Sequence, residues 1–260
     1  MRSLFYDTYS VMWRELKHWL DQKVRILVSI FQPLIWLALM GNVMTKLTDN
    51  PFGRQAFGGA SYLSFMTPGI IVMTSLFGGI FGGISVVWDR RWGYLNKMLA
   101  SPISRTAIPL GKMLATAIQG SFQSLIIIII ATLFGVNFAT GILGIVFILL
   151  LSACFNFTMA GFSIAIASRI KSMEVLTAVI NFLTMPLMFS SSAMFPIQIM
   201  PDWLATIAKW NPITYVVNPL RTLVISGWEM GDLIKGFSYI LFLALIMLFI
   251  ARNEFKRSIA

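Results

Sequence analysis

Charged residues are scarce in this chain. Asp, Glu, Lys and Arg together make up 12% of its 260 residues, about half the fraction usual in soluble domains. Histidine occurs once, as His18, and cysteine once, as Cys154. One cysteine excludes a disulfide within the chain and a cysteine-based metal framework. One histidine excludes a His-rich metal site, and no partner residues surround it in the sequence to build a catalytic triad. Neither a metal nor a catalytic residue is therefore expected. The phosphate-binding pattern G-x-x-x-x-G-K-[ST] is missing as well, because Gly111-Lys112 is followed by Met113, so the chain is not expected to hydrolyse ATP itself. The interiors of the long apolar runs read as free of Asp, Glu, Lys and Arg, which disfavours an ion-coupled carrier needing an intramembrane carboxylate.

What is abundant is apolar sequence: 57% hydrophobic residues, with a mean hydropathy of +0.80. Runs of about 20 apolar residues are what a bilayer crossing needs. The pattern predicts an all-α polytopic membrane protein, a single domain over 1–260, with an interfacial helix at 1–25. Six transmembrane helices follow, at about 26–47, 62–87, 107–134, 142–167, 175–195 and 233–251. In the first segment, Trp13, Leu16, Trp19 and Leu20 fall on one helical side, as in a helix lying at the membrane surface. A glycine-rich polar loop is expected over 48–61. Between the fifth and sixth spans, Pro201, Pro212 and Pro219 cut 196–232 into pieces too short to cross, and these are expected to form an external re-entrant helical hairpin. The formal charge of +10 could suggest nucleic acid, but the basic residues are scattered between the apolar runs. Fifteen of the twenty lie on the side that holds both termini, and the positive-inside rule places that side in the cytoplasm. Membrane lipid, and not nucleic acid, is the expected surroundings.

Trp88 to Arg105 is the longest charged interval between two long runs. Trp92, Leu95 and Leu99 share one helical side while Arg90 and Lys97 lie elsewhere, so an amphipathic interfacial helix is expected there. Ser101-Pro102 ends it, since the residue before proline avoids the α region. Gly78/Gly82 and Gly79/Gly83 form two overlaid small-xxx-small pairs that let another helix come close. Gln119 and Gln123, Asn156 and Asn181 are polar groups inside the spans. They suit either a transport path or hydrogen bonds that hold the bundle together.

Asp89-Arg90-x-x-Gly93 followed by Leu99–Arg105 and then Ile108–Lys112, the FMTPG at Phe65–Gly69 and the late Asn211-Pro212-Ile213-Thr214-Tyr215-x5-Arg221 occur in an order that resembles the membrane subunits of ABC type-2 exporters. The similarity to daunorubicin-resistance and lipo-oligosaccharide export permeases covers essentially the whole chain. Arg91 departs from it, standing where many such proteins carry an acidic residue. The resemblance implies that the interfacial helix and a cytoplasmic coupling helix between spans 2 and 3 meet a separate ATP-binding subunit. Asp89, Arg90, Arg91, Gly93, Tyr94, Leu95, Leu99, Ser101, Pro102 and Arg105 would be the coupling residues. It implies further that two permease copies work with two ATPase chains, which use ATP and magnesium while this chain binds no cofactor. Spans 2 and 5 would be the dimer and pathway elements, in a cell membrane of a bacterium or archaeon. The expected activity is export of a hydrophobic or amphipathic compound. Export of a polysaccharide or lipid-linked glycan is one alternative, and an ATP-independent carrier or a non-transporting assembly factor are others.

Overall fold

The computed structural model describes residues 4–48, 60–170 and 172–258. The expected loop at 48–61 thus lies, apart from its ends, outside the described residues, as does Lys171. Among the described residues the chain is all-helical: ten α-helices, one short 3-10 turn and no strand. In chain order the helices are α1 (Leu4–Asp21), α2 (Lys23–Thr48), α3 (Tyr62–Arg91), α4 (Tyr94–Ala100) and α5 (Ala107–Leu133). They continue with α6 (Gly141–Arg169), α7 (Met173–Phe189), α8 (Asp202–Trp210), α9 (Pro212–Ile225) and α10 (Met230–Ser258).

Several boundaries follow from local chemistry. Ser61 accepts the Ser64 N–H to cap α3, and Ser172 accepts the Val175 N–H to cap α7. Asn211 caps α9 through the Ile213 N–H, with Pro212 in the first helical position, where its missing N–H costs nothing.

α3, α5, α6 and α10 are long and apolar enough to cross a membrane, and they correspond to the expected spans 2, 3, 4 and 6. α2 has 26 residues; its Lys23–Leu39 stretch together with α1 is long and apolar enough as well, across a bend of 78° at their break. α7 has 17 residues and rises about 25 Å at 1.5 Å per residue, short of a hydrocarbon core of about 30 Å. Among the described residues, four helices are thus long and apolar enough to span, or five when the bent pair counts as one.

Two apolar clusters divide the core along the helix axes. One joins Met66, Ile70 and Leu76 of α3 with Ile127 and Ile128 of α5, Ile148 and Leu151 of α6 and the buried face of α9. The other joins Val86 and Val87 with Leu95 and Met98 of α4, Ile108 and Met113 of α5, Ile164 of α6 and Phe255 of α10. The first lies at the end where α3 begins. The second lies where α3 ends and where α1 and α4 dock.

Candidate functional site

The interval expected to be one interfacial helix is two objects. α3 has 30 residues, about 45 Å at 1.5 Å per residue, so it outruns an apolar core of about 30 Å. Trp88, Asp89, Arg90 and Arg91 are its last turn. Gly93 then takes φ +70, a left-handed conformation that side chains with a Cβ avoid, and this reverses the chain into the seven-residue α4. At its far end Ser101 is extended ahead of Pro102 and donates its hydroxyl to the Met98 carbonyl at 2.6 Å.

Asp89 points inward and is 5% exposed. It accepts hydrogen bonds from Lys112 Nζ at 2.6 Å and from both terminal nitrogens of Arg14. Lys112, 1% exposed, also donates to Glu15 at 2.7 Å and to Ser85 Oγ at 2.9 Å, and Arg14 Nη1 reaches Glu15 at 2.9 Å. Two cations and two carboxylates from α1, α3 and α5 thus form one buried network, whose mutual pairing is what makes burial of such charges tolerable. Lys112 lies within the expected third span, so the expectation that the apolar runs are free of charge is corrected. An ammonium one turn into α5 is balanced by the carboxylate that ends α3.

The network extends to α4. The Arg14 guanidinium lies over the Tyr94 ring, 3.8 Å from its centroid, and Nη1 is 3.8 Å from Met98 Sδ. Burial works against the Arg14 cation, but the hydrogen bond and charge of Asp89 outweigh it and hold its pKa above the ordinary value. Asp7 ties the front of α1 to the loop behind α4 by accepting the Ser104 N–H at 3.0 Å. Arg90 turns the other way and donates to the carbonyls of Ala167, Ser168 and Ile170 at 3.2–3.4 Å, satisfying the C-terminal end of α6. Leu95 and Met98 are buried under α4 and Leu99 packs partly against the same cluster. Arg91, Trp92, Tyr94, Lys97, Pro102 and Arg105 face outward. Of the expected coupling residues, then, Asp89, Arg90 and Leu95 hold the structure together, while Arg91, Tyr94, Pro102 and Arg105 offer an exposed surface.

α1 docks on the bundle through one side and leaves another uncovered. Asp7, Thr8, Val11 and Trp19 are buried, whereas Trp13 and Leu20 are exposed. The cause is Gly111 on α5: a Cβ there would stand 2.7 Å from Val11 Cβ and 2.8 Å from the Thr8 carbonyl, so α1 sits directly on the α5 backbone.

Between α1 and the ends of α3 and α5 is a polar cavity of about 890 Å³, lined by Arg14, Glu15, Arg25, Ser85, Trp88, Lys112 and Gln119 among others. A second cavity of about 860 Å³ runs between α2 and α3 towards the end of α7. It is lined by Trp36, Met66, Ile70, Met73, Phe77, Met188 and Phe189, with Ser29, Gln32, Thr74 and Gln123 among its polar side chains and Asp21, Lys23 and Arg25 as charged ones. Arg25 and Phe81 border both cavities, with the guanidinium 4.0 Å from the ring centroid. The four expected path residues are thereby separated. Gln119 lines the polar cavity, Gln123 lines the apolar one, and Asn156 is fully buried behind it on α6. Asn181 is exposed on α7, away from the other three.

Gly78, Gly79, Gly82 and Gly83 line the contact of α3 with α6. A Cβ at Gly79 would stand 2.9 Å from the Asn156 carbonyl, and one at Gly82 3.0 Å from Ala160 Cβ, while at Gly83 it would collide with Ser163. This glycine face is filled by the chain's own α6. At the opposite end, Asn211 donates to the Leu187 carbonyl at 2.6 Å and to Ser190 Oγ at 3.0 Å. Tyr215 stacks on Tyr239 of α10 with centroids 4.3 Å apart. Arg221 lies 3.7 Å from the centre of the Phe65 ring and donates to the Ser192 carbonyl at 2.7 Å. α8 buries only Ala208, whereas α9, continuing through Pro219, buries one whole face against α3, α6 and α10.

Sequence reasoning gave no site role to Arg14 or Glu15, and met Lys112 only at the end of the Ile108–Lys112 stretch that shares in the resemblance. The available signal was Lys112 itself, a lone cation inside an apolar run, with Asp89 at the same end of the preceding span. Among the described residues no group of three or more His, Cys, Asp or Glu side chains comes together as metal ligands would.

The chain is similar in sequence to curated transport permeases. The transport permease ycf38 of Cyanophora paradoxa is 32% identical over 83% of this chain and 73% of its own length. That of Porphyra purpurea is 31% identical over 89% and 82%. A daunorubicin resistance ABC transporter permease protein of Streptomyces coeruleorubidus is 22% identical over 86% and 78%. The model of the ABC-2 type transporter family matches residues 6–225, from the inward face of α1 to the end of α9, and the chain belongs to that membrane family of transport permeases.

Proposed function

We propose that this chain is the membrane subunit of an ATP-driven exporter that moves a hydrophobic or amphipathic compound out of the cytoplasm or the inner leaflet. The observation that carries the reading is the assembly of α1 and α4 around Arg14. A short helix with an exposed aromatic and basic surface, clamped to two spans and a surface helix by a buried ion network, is built to receive a push and pass it on as a rigid body. With no nucleotide-binding motif in the sequence, the energy comes from a separate ATP-binding subunit docked on α4, which uses ATP and magnesium.

In this reading the basic end of the bundle, with both termini, α1 and α4, faces the cytoplasm, and α8 and α9 face outside. α2 and α7 complete six spans, α2 beyond its bend and α7 by a locally thinned bilayer or a companion helix. Two copies act together with two ATPase chains. The groove between α2 and α3, apolar and rich in methionine, supports an amphiphile as cargo, because methionine packs adaptably against varied apolar bodies.

The test is uptake of a fluorescent amphiphile into inverted membrane vesicles holding this chain and its co-expressed ATP-binding partner. Accumulation that needs ATP, and that stops when either protein is omitted, is the expected result. Accumulation by this chain alone without ATP would identify a stand-alone carrier and overturn the proposal.

A further inference from the structure

The polar cavity and the groove meet at the bend between α1 and α2, where Asp21, Gln22, Arg25 and Phe81 line both. The charge of the groove is concentrated there. Every charged side chain that lines it falls within residues 21–25, while the remainder of its wall is apolar or carries uncharged polar groups. A space with a charged end and a long, chiefly apolar body has the shape of an amphiphile.

The cations around the two cavities are not equivalent. Arg14 and Lys112 are paired within the buried network, and Lys17 and Lys23 are exposed to water. Arg25 is half-buried, with no carboxylate in ion-pairing contact among the described residues. Glu15 acts on it through longer-range attraction and is itself held by Arg14 and Lys112. One N–H of Arg25 is used, Nη1 donating to Gln22 Oε1 at 3.0 Å, and the guanidinium is set by the Phe81 ring 4.0 Å away. Its other N–H groups have no acceptor among the described residues. A cation withdrawn from water without a partner is costly, and a guanidinium fork fits a phosphate or carboxylate. The first turn of α2 holds no acidic residue, and its orphan N–H groups add to the pull on an anion. Asp21, the one acid at the junction, is exposed, where water and salt screen it.

We infer that Arg25 is the head-group site for an anionic amphiphile. A phosphate or carboxylate head takes the unused N–H groups of its guanidinium, and the apolar tail lies in the groove against Trp36, Met73 and Phe77. This rests on the groove's being the cargo site of the exporter, and it narrows the cargo to lipid-like compounds with an anionic head.

The test measures binding of radiolabelled oleoyl lysophosphatidate and of 1-oleoylglycerol, the same tail without the phosphate. The chain is purified and immobilised in a neutral sugar detergent, with bare resin as the blank. The wild type is expected to prefer the lysophosphatidate by about tenfold, the worth of a hydrogen bond to a charged group. Arg25→Gln is expected to abolish the preference while still binding 1-oleoylglycerol, and Arg25→Lys to keep part of it. Thr74→Trp, which fills the groove from α3, is expected to weaken both ligands. Arg252→Gln, which removes an exposed cation that lines neither cavity, keeps the wild-type preference. Equal affinities in the wild type, a preference that survives Arg25→Gln, or an equal loss in Arg252→Gln would overturn the inference. So would displacement of the lysophosphatidate by inorganic phosphate at equal concentration, which would make the site one for free phosphate. The assay needs neither ATP nor a partner, so its failure is distinguishable from failure of the exporter reading, which vesicle uptake decides.

Discussion

Lys112 ties α5 to α1 and α3 through Glu15, Ser85 and Asp89. Removing it leaves Asp89 and Glu15 buried with too few cations, and stripping one partner from a buried ion network costs about 3–5 kcal/mol. Lys112→Met is therefore expected to lower the thermal unfolding midpoint in detergent strongly. The double variant Lys112→Met/Asp89→Asn is expected to regain part of the loss, because the uncompensated carboxylate is gone. A double variant as unstable as the sum of both singles would show that the two charges do not interact. Gly93 makes a contrasting case. Nothing lies within 4 Å of where its Cβ would be, so Gly93→Ala meets no steric obstacle and pays only for the left-handed backbone at φ +70, about 1–2 kcal/mol. Its effect is expected to fall on α4 alone: normal insertion, with reduced coupling to the ATPase partner. The sequence pattern marked Gly93, Asp89 and Arg90 but not their directions. Both side chains were expected to face a partner, yet Asp89 and Arg90 turn inward, because helical phase at the end of α3 points them at α1, α5 and α6.

The helices show where periodicity is informative and where it is not. Long apolar runs locate α3, α5, α6 and α10, since a bilayer and a buried helix both demand continuous apolar sequence. Their ends are less legible. α3 continues through Trp88–Arg91 because a helix persists while its backbone bonds are satisfied, whatever the polarity of its side chains. The side of α1 that packs on the bundle, with Asp7, Thr8 and Val11, carries no apolar stripe to announce it, because the partner surface is a glycine-opened backbone at Gly111. The glycines of α3 were legible as a packing face but not as to their partner, which only the tertiary arrangement supplies. That face yields a test. Gly79→Leu must push α6 away from α3 and is expected to destabilise the bundle by about 1–3 kcal/mol, as overpacking does. Gly231→Leu, at a position with nothing within 4 Å, is expected to be close to neutral. Equal stability of the two variants would show that the α3–α6 contact is loose.

At the scale of the whole molecule, the six-span reading of the sequence puts fifteen basic residues on one side and five on the other, and that asymmetry sets the proposed orientation. Arg257→Cys and Lys209→Cys, each in a Cys154→Ala background, place single thiols at the two ends. In intact cells an impermeant maleimide is expected to label the thiol at position 209 and not the one at 257; the reverse pattern would invert the bundle. The central claim concerns the end that carries α1 and α4. The measurement that tests it most directly is native mass spectrometry of this chain co-expressed with its ATP-binding partner, for the wild type and for Trp92→Ala/Lys97→Glu, which alters only exposed positions on and beside α4. Two permease chains with two ATPase chains in the wild type, and loss of the ATPase from an otherwise folded variant, is the predicted result. An ATPase that stays bound to the variant, or a wild-type chain that never acquires one, would contradict the account.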